Sequence, residues 1–422
     1  MALSLPNNPD LERFRRDARR LHRGVRSADE HALELVVKHH SEGTAAELSG
    51  FTLSDAQLVV ARSYGFSSWP RLRHYLDIAE PLRRDPTKSP TSEDPVDAYC
   101  DLACLQFSQA DDPHRWFQAR ALLADNPELS ARSVYAAATA GDRGAVAAHL
   151  AADPSLAHRE GGPFRWSPLA YLVYSRVPQD DTVGTARLLL DHGADPDTGY
   201  LWQGLPPPFT ALTGCFGEGE QGPGRSPRHP AGMPLARLLL ERGAEPNDGQ
   251  TLYNRMFNRD DGHLSLLFEY GLGTGDGGVW RHRLGDALES VEEMMGRQVR
   301  WARSHGFTDR LALLAEHGFV PKRAGSRGFR APSIHRAGSV AAVADVVGLG
   351  ADVDEAQGGR TALHHFAWIG DVEMVQALVD AGANPDVVDA THGTTPLGWA
   401  EYGRQPATAA LLRPLTAPLS VE

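Results

Sequence analysis

Short apolar runs that stop just before a glycine recur along the chain. The clearest are Leu188–Pro196 (LLLDHGADP) and Leu238–Pro246 (LLLERGAEP). Weaker copies lie at Leu313–Gly318, Val346–Asp352 and Leu378–Pro385. Because glycine adopts the left-handed cap conformation at no steric cost, each copy predicts the end of a helix. The prolines that follow predict a turn, since a residue before proline is kept out of the helical region.

A second apolar helix precedes each of these endings. Thr361–Asp371 predicts one helix and its stop, and Val372–Leu378 predicts the next. The repeating unit is therefore a helix, a turn, a second helix and a projecting finger. Successive marker glycines at 318, 350 and 382 are 32 residues apart, as in a stacked repeat array.

The openings of two units carry a resemblance to a known family. Thr361-Ala362-Leu363-His364 and the later Thr395–Gly398 resemble the T-P-L-H signature of ankyrin repeats, whose period is about 33 residues. The resemblance implies an all-α solenoid of helix-turn-helix repeats with β-hairpin-like fingers. We expect the array to cover 131–418 in about eight units, several of them degenerate.

The first 82 residues predict a separate helical domain. Leu11, Phe14, Ala18, Leu21 and Val25 recur at steps of three and four, which indicates an amphipathic helix. Capping boxes at 27–30 and 54–57 predict two further helices, and Ser68-Trp69-Pro70 predicts a fourth. The stretch 53–76 resembles an N-terminal module that is often attached to bacterial ankyrin proteins.

Two segments join this domain to the array. Residues 83–95 contain three prolines among polar residues and predict a stiff, exposed linker. Residues 96–130 predict helices that dock onto the array.

Charge and composition narrow the class of partner. The net charge of −12 disfavours nucleic acid, and the arginines of the first helix are explained by a solvated face. Asp10, Glu12 and Arg13 precede any apolar run of signal-peptide length, and no run reaches transmembrane length, so we expect a cytoplasmic protein without a membrane partner. Three cysteines, an odd number, favour a reducing compartment.

In ankyrin arrays the exposed side of the first helices lines the concave surface, and we expect a partner protein or peptide to bind there. The repeat register predicts six side chains on this surface: Tyr171, Tyr174, His365, Trp368, Trp399 and Tyr402.

The irregular middle of the array suggests an alternative. Its insertions are rich in aromatic and basic residues, which would suit a pocket for a peptide or a small anionic ligand, or an enzyme site. The residues proposed for it are Trp202, Tyr253, Arg255, His282, Arg283, Arg300 and Trp301.

The sequence motifs that would indicate catalysis, metal binding or cofactor binding are weak. Residues 217–222 match G-x-G-x-x-G, but they follow a repeat helix instead of a strand, so we interpret them as an inserted loop. The adjacent pairs His39-His40 and His364-His365 diverge on a helix and predict no metal site. We expect no cofactor, name no catalytic residue, and consider an enzyme less probable than a binding module.

Overall fold

The computed structural model describes residues 3–40, 50–85, 92–320, 333–337, 339–348, 351–390 and 392–417. The chain is predominantly helical and divides into two compact units, residues 1–294 and 295–422. Within the described ranges, every helix is too short or too polar to cross a membrane.

The first unit begins with a bundle of four helices: α1 (Leu11–Arg26), α2 (Glu30–His39), α3 (Leu53–Ser63) and α4 (Trp69–Leu82). Phe14, Ala18, Leu21 and Val25 of α1 are buried, which confirms the predicted apolar face. The caps differ slightly from the expected ones. Asp29 caps α2, and Thr52 with Asp55 forms the capping box of α3.

The N-terminal bundle is packed against the repeats of its unit. Strand β1 (Arg83–Arg84) pairs in parallel with β2 (Gly199–Trp202), which pairs antiparallel with β3 (Phe209–Thr210). Leu201 of β2 lies in the core of the bundle. The start of the predicted exposed linker is thus a buried strand, because its backbone pairs with a finger of the array; residues 86–91 lie outside the described residues.

Three helices follow in the predicted docking segment: α5 (Pro95–Ala103), α6 (Pro113–Asp125) and α7 (Leu129–Arg132). Asp94 caps α5 and Asp112 caps α6, each followed by a proline that needs no amide partner. Helices α5 and α7 pack against the first repeat helix.

The repeats of the first unit are helix pairs: α8 (Val134–Ala140) with α9 (Arg143–Ala152), α10 (Pro168–Tyr174) with α11 (Thr182–Asp191), α12 (Ala211–Phe216) with α14 (Gly232–Glu241), and α15 (Gly249–Arg255) with α16 (Gly262–Glu269). The short helix α13 (Gly222–Arg225) lies in an insertion, and α17 (Gly278–Leu284) follows the last pair. First helices stack on first helices and second helices on second helices, which makes two rows.

The second unit continues the pattern from within α18 (Val291–Ser304). Its remaining elements are α19 (Thr308–Glu316), a 3₁₀ turn (Ile334–Arg336), α20 (Val340–Gly348), α21 (Ala362–Ile369), α22 (Val372–Asp380), α23 (Pro396–Tyr402) and α24 (Pro406–Leu412). Helices α20 to α24 share one core, to which Leu363, Val375, Leu378 and Leu412 contribute fully buried side chains.

The marker glycines end the second helices as predicted. Gly193, Gly243, Gly318 and Gly382 have φ between +87° and +94°, a region that favours glycine. Gly350 lies outside the described residues.

Candidate binding surfaces

The six side chains predicted for the concave surface occupy two equivalent positions in three first helices. They are the fourth and seventh residues after the opening residues Ser167, Thr361 and Thr395. Since equivalent positions face the same way in stacked repeats, their exposure can be compared directly.

In the first unit these positions are buried, and the prediction that Tyr171 and Tyr174 are exposed is wrong. The Tyr171 hydroxyl donates to Gly161 O at 2.9 Å and accepts from the Phe164 amide at 2.9 Å. The Tyr174 hydroxyl donates to Thr210 O at 2.9 Å, where the next repeat opens. Burial raises the pKa of both phenols well above the usual value.

The physical reason is that the chain itself covers this face. The segment after α5 runs antiparallel to the end of α10: Leu105 N donates to Tyr174 O, and Arg176 N donates to Ala103 O, both at 2.8 Å. The Phe107 ring then contacts the Tyr174 ring edge-on, with centroids 6.2 Å apart. The first unit has therefore used this part of its first-helix row for internal packing.

In the second unit the equivalent positions form an exposed aromatic patch. Tyr402 is 84% exposed and Trp368 is 42% exposed, and His365 is also exposed. Ile369, next to Trp368, is 46% exposed. We call His365, Trp368, Ile369 and Tyr402 the open face.

Trp399 supports the open face instead of belonging to it. Its ring is almost fully buried, and its Nε1 donates to Asp389 Oδ2 at 2.8 Å. The rings of Trp368 and Trp399 meet edge-on at 6.1 Å, and the Arg360 guanidinium lies 5.1 Å from the Trp399 ring centroid. The exposure predicted for Trp399 is corrected, because the finger carboxylate Asp389 draws the indole inward.

Arg255, one of the basic residues proposed for the middle pocket, is already paired within the first unit. Arg255 is fully buried, and its guanidinium is paired with Glu218 of the inserted loop and with Asp260. Burial lowers the pKa of Arg255, and Glu218 opposes that shift. Arg255 is thus corrected from a ligand donor to a structural cation, because its charge is already neutralised.

Four further proposed side chains lie on α17 and α18. On α17, His282 pairs with Asp276 at 2.9 Å, and the Arg283 guanidinium lies 5.2 Å from the Trp280 ring centroid. On α18, Arg300 is exposed and Trp301 stacks on His305 with centroids 3.8 Å apart. The contacts of His282, Arg283 and Trp301 therefore lie within or next to their own helices.

Trp202 and Tyr253 do share a site. They line a cavity of about 490 Å³. It lies between the loop that joins β2 to β3, which we call the finger loop, the inserted loop after α12, and α15. Phe107, Glu220, Gln250 and Asn254 also line it. We call this space the middle cavity.

Comparison with known proteins identifies the repeat. Residues 334–418 match the family model described as ankyrin repeats, in three copies. This chain contains ankyrin repeats. The crystal structure of the human ASB11 ankyrin repeat domain is similar, with 18% identity and a TM-score of 0.33, over 56% of this chain and 95% of that chain. No curated protein sequence matches the chain.

His364 has the structural role expected of the histidine in an ankyrin opening tetrad. Its Nδ1 accepts from Thr361 N at 3.2 Å and lies 2.8 Å from Thr361 Oγ1. Its Nε2 lies 3.2 Å from Thr394 O, at the start of the next ankyrin repeat. Burial lowers the pKa of His364, which favours the neutral ring that this pattern requires.

Sequence reasoning missed two sets of residues in the irregular repeats of the first unit. Arg176, at the end of α10, is buried and donates to the carbonyls of Val173, Ser175, Gly214 and Pro227. Gln250 and Asn254 of the middle cavity were also missed. Their spacing of four on α15 places both on one helix face, and that is the signal that could have found them.

Proposed function

We propose that this chain is a protein-interaction module and that its partner protein binds the open face of the second unit. Ankyrin repeats generally mediate protein–protein interactions. The observation that carries the proposal is the exposure of Trp368 and Tyr402 at equivalent positions of adjacent first helices. Buried thiols at Cys100, Cys104 and Cys215 agree with a cytoplasmic location for this interaction.

The open face has the energetic properties of an interface anchor. A fully buried aromatic side chain removes about 150–250 Å² from water, so covering even half of one contributes about 2–3 kcal/mol. The Trp399 ring packs edge-on against the Trp368 ring and restricts its position, which reduces the side-chain entropy that Trp368 loses on binding. Tryptophan and tyrosine are enriched among the few residues that contribute most of the binding energy at protein interfaces.

Photo-crosslinking tests whether the partner lies on this face. p-Benzoylphenylalanine is placed at Tyr402, and in a matched control at Glu373, which is exposed on the second helix α22. We expect the first variant to capture one protein in cells of the source organism and the control to capture none of it. Capture of the same protein by both variants, or by neither, would contradict the proposal.

The captured protein then allows an affinity measurement. Trp368→Ala with Tyr402→Ala should weaken binding by at least tenfold, since both anchors are lost. Glu373→Ala should leave the affinity within twofold of the unmodified chain. Isothermal titration calorimetry on variants with verified unfolding transitions checks both values, and an unchanged affinity in the double variant would reject the open face as the site.

A further inference from the structure

The middle cavity of the first unit carries a second site. We propose that it binds an arginine side chain, together with the adjoining peptide group, from an extended segment of a partner protein. This inference does not depend on the open face, because it rests on residues of the finger loop, the inserted loop and α15.

Two buried amides of the cavity wall have unused hydrogen-bonding groups. Gln250 Nε2 donates to Asn254 Oδ1 at 2.8 Å, and these side chains are 7% and 3% exposed. Asn254 Nδ2 is buried and has no acceptor within the described part of the chain. Gln250 Oε1 likewise accepts no hydrogen bond from the described residues. One donor and one acceptor on adjacent side chains complement the carbonyl and amide of a peptide group.

A buried amide without an acceptor costs about 1–3 kcal/mol, so its place in a cavity wall calls for a ligand group. The cavity volume of about 490 Å³ falls within the range typical of ligand sites. A backbone carbonyl would satisfy Asn254 Nδ2 after a shift of the inserted loop, since this atom is closed to water in the unbound chain. We therefore orient the peptide with this carbonyl toward α15.

The charge of the cavity selects a cation. Glu218 and Glu220 line it, and no lysine or arginine does so among the residues that the structure describes. Glu218 is neutralised by Arg255 and by Arg228, whose Nε lies 2.7 Å from its carboxylate. Glu220 accepts a hydrogen bond from the Tyr253 hydroxyl, and over the described ranges no basic side chain lies within 4.0 Å of it. One carboxylate at the mouth is thus available to a ligand.

The aromatic walls favour arginine over lysine. Phe107, Trp202 and Tyr253 line the cavity, and Trp202 is held in place by donating from Nε1 to Gln106 O at 3.2 Å. A guanidinium is planar and weakly hydrated, so it stacks on aromatic rings while it donates two bonds to a carboxylate. An ammonium group is compact and strongly hydrated, and gains less from such walls.

The test uses the full-length chain and three pools of capped hexapeptides. The pools share randomised flanks and differ only at one central residue: arginine, lysine, or citrulline, which is the neutral isostere of arginine. Bound peptides are recovered by gel filtration and counted by mass spectrometry. We expect at least fivefold enrichment of the arginine pool over the citrulline pool, with the lysine pool between them. Equal recovery of the arginine and citrulline pools would overturn the proposal.

Matched variants assign the effect to the cavity. Glu220→Gln should reduce the arginine enrichment by at least threefold, whereas Glu241→Gln, exposed on α14 of the same unit, should not change it. Trp368→Ala with Tyr402→Ala should also retain the enrichment, which separates this site from the open face. Full enrichment in the Glu220→Gln variant would overturn the assignment even if the arginine pool binds the chain.

Discussion

The first helices of the two units place aromatic side chains at the same repeat positions and use them in opposite ways. Tyr174 is buried under the segment that follows α5 and Tyr171 under Phe164 and Trp166 of the preceding finger, whereas Trp368 and Tyr402 are exposed. The repeat register thus decides where a side chain points. The chain that packs over these positions decides whether that side chain belongs to the core or to the surface.

The largest expected effect comes from replacing the aromatic side chain by alanine at equivalent positions of the two units. The two losses of stability test the contrast between buried and exposed positions. Tyr174→Ala should destabilise its unit by about 3–5 kcal/mol, because it removes a buried ring and leaves Thr210 O without its donor. Trp368→Ala should cost about 1 kcal/mol or less, since much of its ring already contacts water. Urea unfolding followed by circular dichroism measures both, and equal losses would contradict the comparison.

The next effect concerns the insertion that the second unit lacks among its described repeats. Arg255→Met should destabilise the first unit by about 3 kcal/mol, because the buried Glu218 carboxylate would lose one of its two cationic partners and keep Arg228. Adding Glu218→Leu to this variant should restore part of the loss, since the uncompensated charge is then gone. Chemical unfolding of both variants is the measurement, and no recovery in the double variant would argue against the ion pair.

A smaller effect is a pH dependence of the first unit. His229 lies between Gln179 Oε1 at 3.0 Å and the Ala231 amide at 3.0 Å, and burial lowers its pKa to about 3. Because the unfolded chain binds this proton at a pKa near 6.5, the neutral ring stabilises the fold fully above pH 6.5. That contribution is lost as the pH falls from 6.5 towards 3, by about 1.4 kcal/mol per pH unit.

The matched variant for this dependence is His229→Gln, which keeps polar groups at the site but does not titrate. The unfolding free energy of the variant, measured from pH 7 to pH 4, should decline less steeply than that of the unmodified chain. Parallel curves would show that His229 does not carry the dependence.

The sequence predicted much of the repeat but little of what covers it. The marker glycines and the His364 tetrad are short-range patterns, so the helix ends and the bonds to Thr361 and Thr394 followed from them. The burial of Tyr174 depends on backbone pairing of the end of α10 with Ala103 and Leu105, about 70 residues away along the chain. A repeat register contains no information on such long-range contacts.

In the candidate sites too, features set by neighbouring residues were predicted and features set by distant parts of the chain were not. Trp368 and Tyr402 were predicted correctly as exposed because neighbouring repeats alone determine their surroundings. Arg255 was predicted to bind a ligand. The sequence around Arg255 does not show that Glu218, which lies in an insertion, neutralises its charge.

Hydroxyl-radical footprinting of the unmodified chain tests the contrast between the units most directly, because it measures side-chain accessibility without any substitution. Oxidation is quantified by mass spectrometry for peptides that contain Tyr171 and Tyr174, and for those that contain Trp368 and Tyr402. The account predicts that Trp368 and Tyr402 are oxidised at least tenfold faster than the two tyrosines of α10. Comparable rates at the two sets would contradict it.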